Sequence, residues 1–136
     1  MRNKTLKKLI DQVKKSGHTK IKLKGMQPLN IEAIGKYGSF PAFSIMHFGE
    51  QNGDLMRDPD IVFLEMSEGD FLPVSFQNDY VGYFAEYYDF NDKGALLIDK
   101  EQVQDLIQFT STWMDNLESQ GYIYELEQMQ KYKVKS

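Results

Sequence analysis

The stretch that decides the fold is FSIMHFGEQNGDLMRDPDIVFLEM, residues 43–66. Two apolar runs, at 43–48 and 61–66, lie on either side of Asn52-Gly53, the residue pair that two-residue type I′ turns favour. The stretch therefore predicts a β-hairpin formed by residues 43–51 and 54–66.

Further strands are predicted on both sides of this hairpin. Strand-like alternation of apolar and polar residues recurs at 21–23, 29–33, 72–76 and 80–88. Turn sequences at 67–70 and 77–79 join the later strands in chain order, which is typical of an antiparallel meander. Residues 91–94 are predicted to close the sheet, directly before a helix begins at Asp99.

Helices are predicted at both ends of the sheet. One apolar stripe, at helical spacing, predicts an N-terminal helix over 3–16; it consists of Leu6, Leu9, Ile10 and Val13. A longer stripe with Trp113 at its middle predicts C-terminal helices over about 99–132, and we expect Trp113 to be buried against the sheet. Lys131, Lys133 and Lys135 are expected to form a frayed tail.

The predicted architecture is a single α+β domain covering residues 1–136. Its central antiparallel sheet, at about 20–90, is expected to contain five to six strands. The N-terminal helix and one or two C-terminal helices are expected to pack on that sheet.

The composition excludes several classes of chemistry. The chain has 136 residues with no cysteine and two histidines, so disulfides, thiolate nucleophiles and cysteine-ligated metals are excluded. No Walker loop or dinucleotide-binding glycine pattern occurs. We therefore expect no cofactor and no metal. No signal-peptide core and no apolar run of membrane-spanning length occurs, which predicts a cytoplasmic protein without a membrane partner.

Charge is divided unequally along the chain. Residues 1–24 carry +8, whereas the remainder carries −12. The lysines of the first helix that face away from its apolar stripe are candidates for contact with an anionic partner; they are Lys7, Lys8, Lys14 and Lys15. Because the rest of the chain is acidic, we expect at most weak, non-specific nucleic-acid contact through this helix, or pairing with the acidic body.

The hairpin carries the densest set of polar residues and is the candidate binding site. The residues concerned are Glu50, Asn52, Asp54, Arg57 and Asp58. The partner that we expect for them is another protein. The alternative is that these residues serve only as turn and cap residues.

An enzymatic alternative centres on His47. If the Asn52-Gly53 turn sets the register, His47 lies opposite Asp58, as a general base and its orienting carboxylate would. Asp54 and Asp60 could complete a small hydrolase or metal-assisted site. Pro59 lacks an N–H, however, so a bulge there would shift the register, and His47 would then be an inert strand residue.

Aromatic residues occupy both faces of the strand predicted at 80–88. Tyr80, Tyr83, Phe84, Tyr87, Tyr88 and the adjacent Phe90 could stack nucleobases if exposed. Because the basic residues that should accompany them are missing, we expect core packing on one face and helix cover on the other.

Three segments resemble a known family. They are residues 28–35, 43–63 and 73–82, within a resemblance that covers about 28–90. The family is a small domain of unknown function found on conjugative elements, prophages and plasmids of gut-associated bacteria. The resemblance implies a mobile-element accessory protein and brings no catalytic residues with it. The function that we predict is non-enzymatic interaction or binding, with the His47, Asp54, Asp58 and Asp60 hydrolase as the alternative.

Overall fold

The computed structural model describes residues 1–132 and confirms the predicted α+β fold. Within these residues the helices are α1 (Lys4–Ser16), α2 (Lys100–Gln120) and α3 (Tyr122–Lys131). The main sheet contains β1 (His18–Ile21), β2 (Leu29–Tyr37), β3 (Phe40–Gln51), β4 (Asp54–Ser67), β5 (Asp70–Asn78) and β6 (Tyr83–Glu86). A separate hairpin contains β7 (Tyr88–Phe90) and β8 (Leu96–Ile98). Lys133 and Lys135 of the predicted tail lie outside the described residues.

The six strands form an antiparallel meander, in which each strand pairs with its neighbours in the chain. The predicted hairpin between β3 and β4 is confirmed. Gln51 pairs with Asp54, and Asn52 and Gly53 both have positive φ angles, 53° and 84°. Both central residues of a type I′ turn need this backbone conformation, which asparagine and glycine adopt most easily.

The three helices cover one face of the sheet, and the main core lies between them. The stripe Leu6, Leu9, Ile10 and Val13 is buried there, as is Trp113, of which 6% is exposed, so both expectations are confirmed. Asn3 caps α1 by accepting a hydrogen bond from the Leu6 N–H (3.0 Å), and Asp99 caps α2 in the same way through the Gln102 N–H (3.2 Å).

α1 also contacts the C-terminal helices directly. The Thr5 hydroxyl donates a hydrogen bond to the Glu118 carboxylate of α2 (3.3 Å). Gln130 of α3 donates from Nε2 to Gln12 Oε1 (2.6 Å). The two ends of the described chain therefore meet on the helix-covered face.

The region after β5 differs from the prediction. The strand predicted at 80–88 is divided at Tyr87, whose N–H donates to the Val74 carbonyl and whose carbonyl accepts from the Asp99 N–H. Residues 91–94 do not close the sheet but connect β7 to β8. This hairpin packs on the other face of the sheet, over a second apolar cluster of Ala42, Leu64 and Val74.

The aromatic run is also more exposed than predicted, because β6 lies at an edge of the sheet. Phe84 is 59% exposed, and Tyr80 and Tyr83 are exposed as well. Helix cover reaches only part of this run: Tyr83 and Tyr87 lie beside Phe109 of α2. Within residues 1–132, no helix is both long enough and apolar enough to cross a membrane.

A candidate binding cavity on the open face of the sheet

The sheet face opposite the helices, called the open face below, carries a cavity of about 340 Å³. Side chains of β2 to β6 line it, so it crosses five adjacent strands. Its polar lining consists of Asn30, Glu32, Ser44, Arg57, Asp60, Ser75, Gln77 and Glu86, and its apolar lining of Ile34, Tyr37, Met46, Leu55, Val62 and Phe84. We call this space the sheet cavity.

Asp60 is the most confined of the charged groups in the cavity, with 19% of its side chain exposed. The Ser44 hydroxyl donates a hydrogen bond to its Oδ1 (2.7 Å), and Arg57 Nε lies 3.8 Å from its Oδ2. Burial raises the pKa of the Asp60 carboxyl, while the Ser44 hydrogen bond and the Arg57 charge act in the opposite direction. The contacts with Ser44 and Arg57 therefore do not fully offset the effect of burial on this carboxyl.

Arg57 is held at one side of the cavity by Asp79, in the turn after β5. Asp79 Oδ2 accepts from the Arg57 backbone N–H (2.9 Å) and lies 3.4 Å from its Nη1. Gln77 donates from Nε2 to Asp79 Oδ1 (2.9 Å). The hydrogen bond from the Arg57 backbone is the main reason why the pKa of Asp79 is lowered. The Arg57 guanidinium is thus shared between Asp60 and Asp79.

Glu86 marks the other side of the cavity. The Tyr88 hydroxyl donates to its Oε2 (3.1 Å), and the Tyr88 ring stacks on Tyr37 with centroids 5.6 Å apart. Burial, with a further contribution from Glu86, raises the pKa of Tyr88 to about 12. The β7–β8 hairpin therefore contacts two residues of the cavity lining, Tyr37 and Glu86, through Tyr88.

The charges that line the cavity do not balance. Glu32, Asp60 and Glu86 face one guanidinium, that of Arg57, which gives a net charge of −2 when all four groups are ionised. Because a concave site with low-dielectric walls concentrates its own field, the cavity favours a cationic group over an anionic one.

The predicted hairpin residues are divided between two places. Glu50, Asn52 and Asp54 are exposed at the tip of the hairpin, whereas Arg57 lines the sheet cavity. Asp58 accepts a hydrogen bond from Asn78 Nδ2 (2.8 Å). The structure therefore joins Arg57 to the cavity rather than to the hairpin tip.

The predicted pairing of His47 with Asp58 is wrong. The register shifts between Met46 and Phe48, which pair with Asp60 and Arg57, so β4 has one residue more than β3 in this interval. Pro59, which has no N–H to give to the ladder, lies inside the shifted segment. The bulge that was considered at Pro59 from the sequence is therefore present.

His47 faces the helices instead. Trp113 donates from Nε1 to His47 Nδ1 (3.4 Å), and the Tyr122 ring lies 5.2 Å from the imidazole. His47 Nε2 is buried and, within the described residues, has no hydrogen-bond partner. Burial lowers the pKa of His47 from 6.5 to about 4, although the Asp58 charge acts in the opposite direction.

The structure does not bring the four residues of the enzymatic alternative together. His47 lies on the helix-covered face, Asp60 on the open face, and Asp54 at the exposed hairpin tip. Within residues 1–132, no group of three or more His, Asp or Glu side chains is arranged to hold a metal ion. The hydrolase alternative therefore has no assembled site among these residues.

Three of the four candidate lysines of α1 form ion pairs. Lys7 pairs with Asp11 of the same helix, Lys8 with Glu127 (3.2 Å) and Lys14 with Glu65 (2.7 Å). The pairs of Lys8 and Lys14 join the basic helix to the acidic remainder of the chain.

Most of the cavity lining was not predicted from the sequence. Each strand supplies one or two polar residues to it, and these become a cluster only once the register is known: Glu32 pairs with Ser44, Asp60 with Gln77 and Ser75 with Glu86. The available signal was the set of polar positions that alternate with buried ones in every strand of the meander.

An antiparallel meander with helices on one face and a polar cavity on the other defines an α+β protein with an open-faced sheet. Within that class, the chain belongs to the DUF6908 family, a domain of unknown function, whose family model matches residues 2–123. The match extends beyond the resemblance noted at 28–90, since it includes α1 and α2. No curated protein and no solved structure matches the chain.

Proposed function

We propose that this chain is a non-enzymatic binding module that captures a cationic group of a protein partner in the sheet cavity. The observation that carries the proposal is the confined carboxylate of Asp60, which faces the cavity together with Glu32 and Glu86. A cavity of about 340 Å³ is at the lower end of the range for ligand pockets. An arginine or lysine side chain suits such a site better than a large cofactor.

The surroundings of Asp60 support a binding role. Ser44 fixes the position of Oδ1 through its hydrogen bond, and Arg57 is drawn toward Asp79 as well as Asp60. An incoming guanidinium or ammonium group would therefore find a carboxylate that is oriented in advance and incompletely paired. Charge-assisted hydrogen bonds of this kind are the stronger class in proteins.

The sequence resemblance favours a biological setting for this binding. As part of the same proposal, the protein serves as an accessory protein of a conjugative element, prophage or plasmid. The resemblance of residues 28–90 is the only support for this setting, which a survey of the genes around members of the family would check.

The binding proposal is tested by a nuclear magnetic resonance titration with two small probes, N-acetyl-arginine amide and the neutral isostere N-acetyl-citrulline amide. We expect the arginine probe to shift the backbone resonances of Ser44 and Asp60, and the citrulline probe to leave them unchanged. Asp60→Asn, which keeps an acceptor for Ser44, should abolish the arginine response. Asp115→Asn, the same substitution on the exposed face of α2, should preserve it. Equal shifts with both probes would overturn the proposal.

A further inference from the structure

The outer edge of β6 adjoins the sheet cavity and, among residues 1–132, has no strand partner. β6 is the last strand of the six-stranded sheet, and within the described residues β5 is the strand that pairs with it. Its Phe84 and Glu86 both line the cavity. A chain that extended the sheet at this edge would therefore lie beside the cavity, at the strand spacing of about 4.8 Å.

The main-chain groups of β6 are oriented for such an extension. The Tyr87 N–H donates to the Val74 carbonyl, and Ser75 pairs with Glu86. By the alternation of an antiparallel ladder, the N–H and C=O groups of Phe84 and Glu86 then point away from β5. These groups offer hydrogen bonds to an added strand.

The two edges of the sheet differ in their protection. β1, at the opposite edge, contains the exposed Lys20, and Lys22 and Lys24 follow it. Lysine on an edge strand discourages pairing with other chains. Between Arg57 and Lys93, a segment that includes β6, the chain has no lysine or arginine. β6 therefore lacks this protection.

An apolar groove lies beside the same edge on the helix-covered face. It has a volume of about 230 Å³, and Phe76, Tyr83, Tyr87 and Phe109 form its aromatic walls. Tyr83 and Phe84, which are adjacent in β6, thus face the groove and the cavity respectively. Successive side chains of an added strand would alternate between the same two sites.

We infer that the partner binds as an extended segment that pairs with β6 and presents an apolar-basic-apolar sequence. The basic side chain enters the acidic sheet cavity, and the apolar side chains on either side of it enter the groove by Phe109. The inference rests on the proposed function, because it assigns that cavity the basic side chain of a peptide strand. The charge of the cavity and the aromatic walls of the groove select the partner's two kinds of side chain.

The test uses the synthetic peptide acetyl-Ser-Ile-Arg-Ile-Ser-amide and three derivatives of it. One replaces arginine by citrulline, and the other two carry N-methyl groups on one or the other alternate set of backbone amides. We expect the citrulline peptide to bind about tenfold more weakly than the parent, from the loss of a charge-assisted contact. We expect one N-methyl set to weaken binding about tenfold and the other to have little effect, because only one set faces β6.

Two protein variants complete the experiment. Glu86→Gln, on the strand that the peptide pairs with, should weaken binding of the parent peptide about as much as citrulline does, and Asp115→Asn should leave its affinity unchanged. If both N-methyl peptides bind as the parent does, strand pairing is overturned, while capture of the arginine in the cavity stands. If no peptide binds at millimolar concentration but N-acetyl-arginine amide still shifts Asp60, the peptide inference fails alone. If that probe also has no effect, the proposed function fails with it.

Discussion

The two faces of the sheet are built from alternate residues of the same strands, yet they differ in almost every property. Ile31, Ile45 and Ile61 are cross-strand neighbours and are fully buried under the helices. The residues Glu32, Ser44 and Asp60, on the same strands, line the cavity of the open face. One face is closed by the helices, whereas the part of the other face that carries the cavity remains accessible.

This difference separates stability from recognition within a single sheet. Burial of apolar area on the helix-covered face supplies much of the free energy of folding, because the hydrophobic effect scales with the area removed from water. The open face can then carry Glu32 and Glu86 at a small cost, because both remain exposed to solvent, whereas Asp60 is partly desolvated. A substitution on the helix-covered face should therefore change stability and leave binding at the cavity largely intact. A substitution in the cavity should do the reverse.

The largest expected effect concerns Trp113. Trp113→Ala should lower the free energy of unfolding by about 3–5 kcal/mol, because it removes a large buried side chain from the main core. The matched change on the open face, Phe84→Ala, should alter it by no more than about 0.5 kcal/mol, since Phe84 is mostly exposed. Urea unfolding of both variants measures the difference, and similar losses would break the comparison between the faces.

The second expected effect depends on pH and on His47. The unfolded chain binds a proton at His47 near pH 6.5, but the folded protein does so only near pH 4. The unfolded state thus binds more protons between these values, so stability is complete above pH 6.5 and falls as the pH is lowered toward 4. With allowance for the partial exposure of the ring, this group should account for a loss of about 2 kcal/mol.

His47→Phe isolates this effect, since it keeps an aromatic ring against Trp113 and Tyr122 and cannot take up a proton. Between pH 7 and pH 4, the free energy of unfolding of the variant should fall by about 2 kcal/mol less than that of the wild-type protein. Urea unfolding at both pH values measures this difference. If the acid response of His47→Phe is the same as that of the wild-type protein, His47 is more accessible to solvent than its packing indicates.

The smallest expected effect concerns the lysines of α1, which border the helix-covered face without entering it. We expect weak, sequence-indifferent binding of DNA and RNA at low salt that disappears at physiological salt, because Lys8 and Lys14 are already paired with acidic residues. Changing Lys7, Lys8, Lys14 and Lys15 together to Gln should abolish it with little loss of stability, because solvent-exposed ion pairs contribute little to the free energy of folding. A titration of labelled nucleic acid checks this. Binding that persists after the change would point to the exposed tyrosines of the β6 edge.

The sequence was sufficient to predict the elements whose signals are local. The Asn52-Gly53 turn defines its hairpin through a backbone preference of two adjacent residues, and the stripe from Leu6 to Val13 defines α1 through its spacing. The β7–β8 hairpin was missed because its strands have three residues each, too few for a period to emerge. Its position on the open face depends on the contact between Tyr37 and Tyr88, which are 51 positions apart.

The cavity could not be predicted for a different physical reason. Its charged residues are spread over 55 positions, from Glu32 to Glu86, and each is unremarkable in its own strand. They meet only through the register of five strands, which is shifted by irregularities in β2, β4 and β5. The binding site was predicted at the hairpin tip because polar residues are densest there in the sequence. In the structure, the charged residues cluster in the cavity of the open face.

The meeting of α1 with α2 and α3 has a consequence for synthesis of the protein in the cell. α1 leaves the ribosome before α2 and α3, which contain its hydrogen-bonding partners Glu118 and Gln130. α2 begins 84 positions after the end of α1. At 5–20 residues per second, this gap corresponds to a delay of about 4–17 s. During that time the strands of the meander can pair in chain order. The apolar stripe of α1 and the sheet face beneath it stay uncovered until α2 and α3 are made. We therefore expect the nascent chain to expose apolar surface of the kind that chaperones bind.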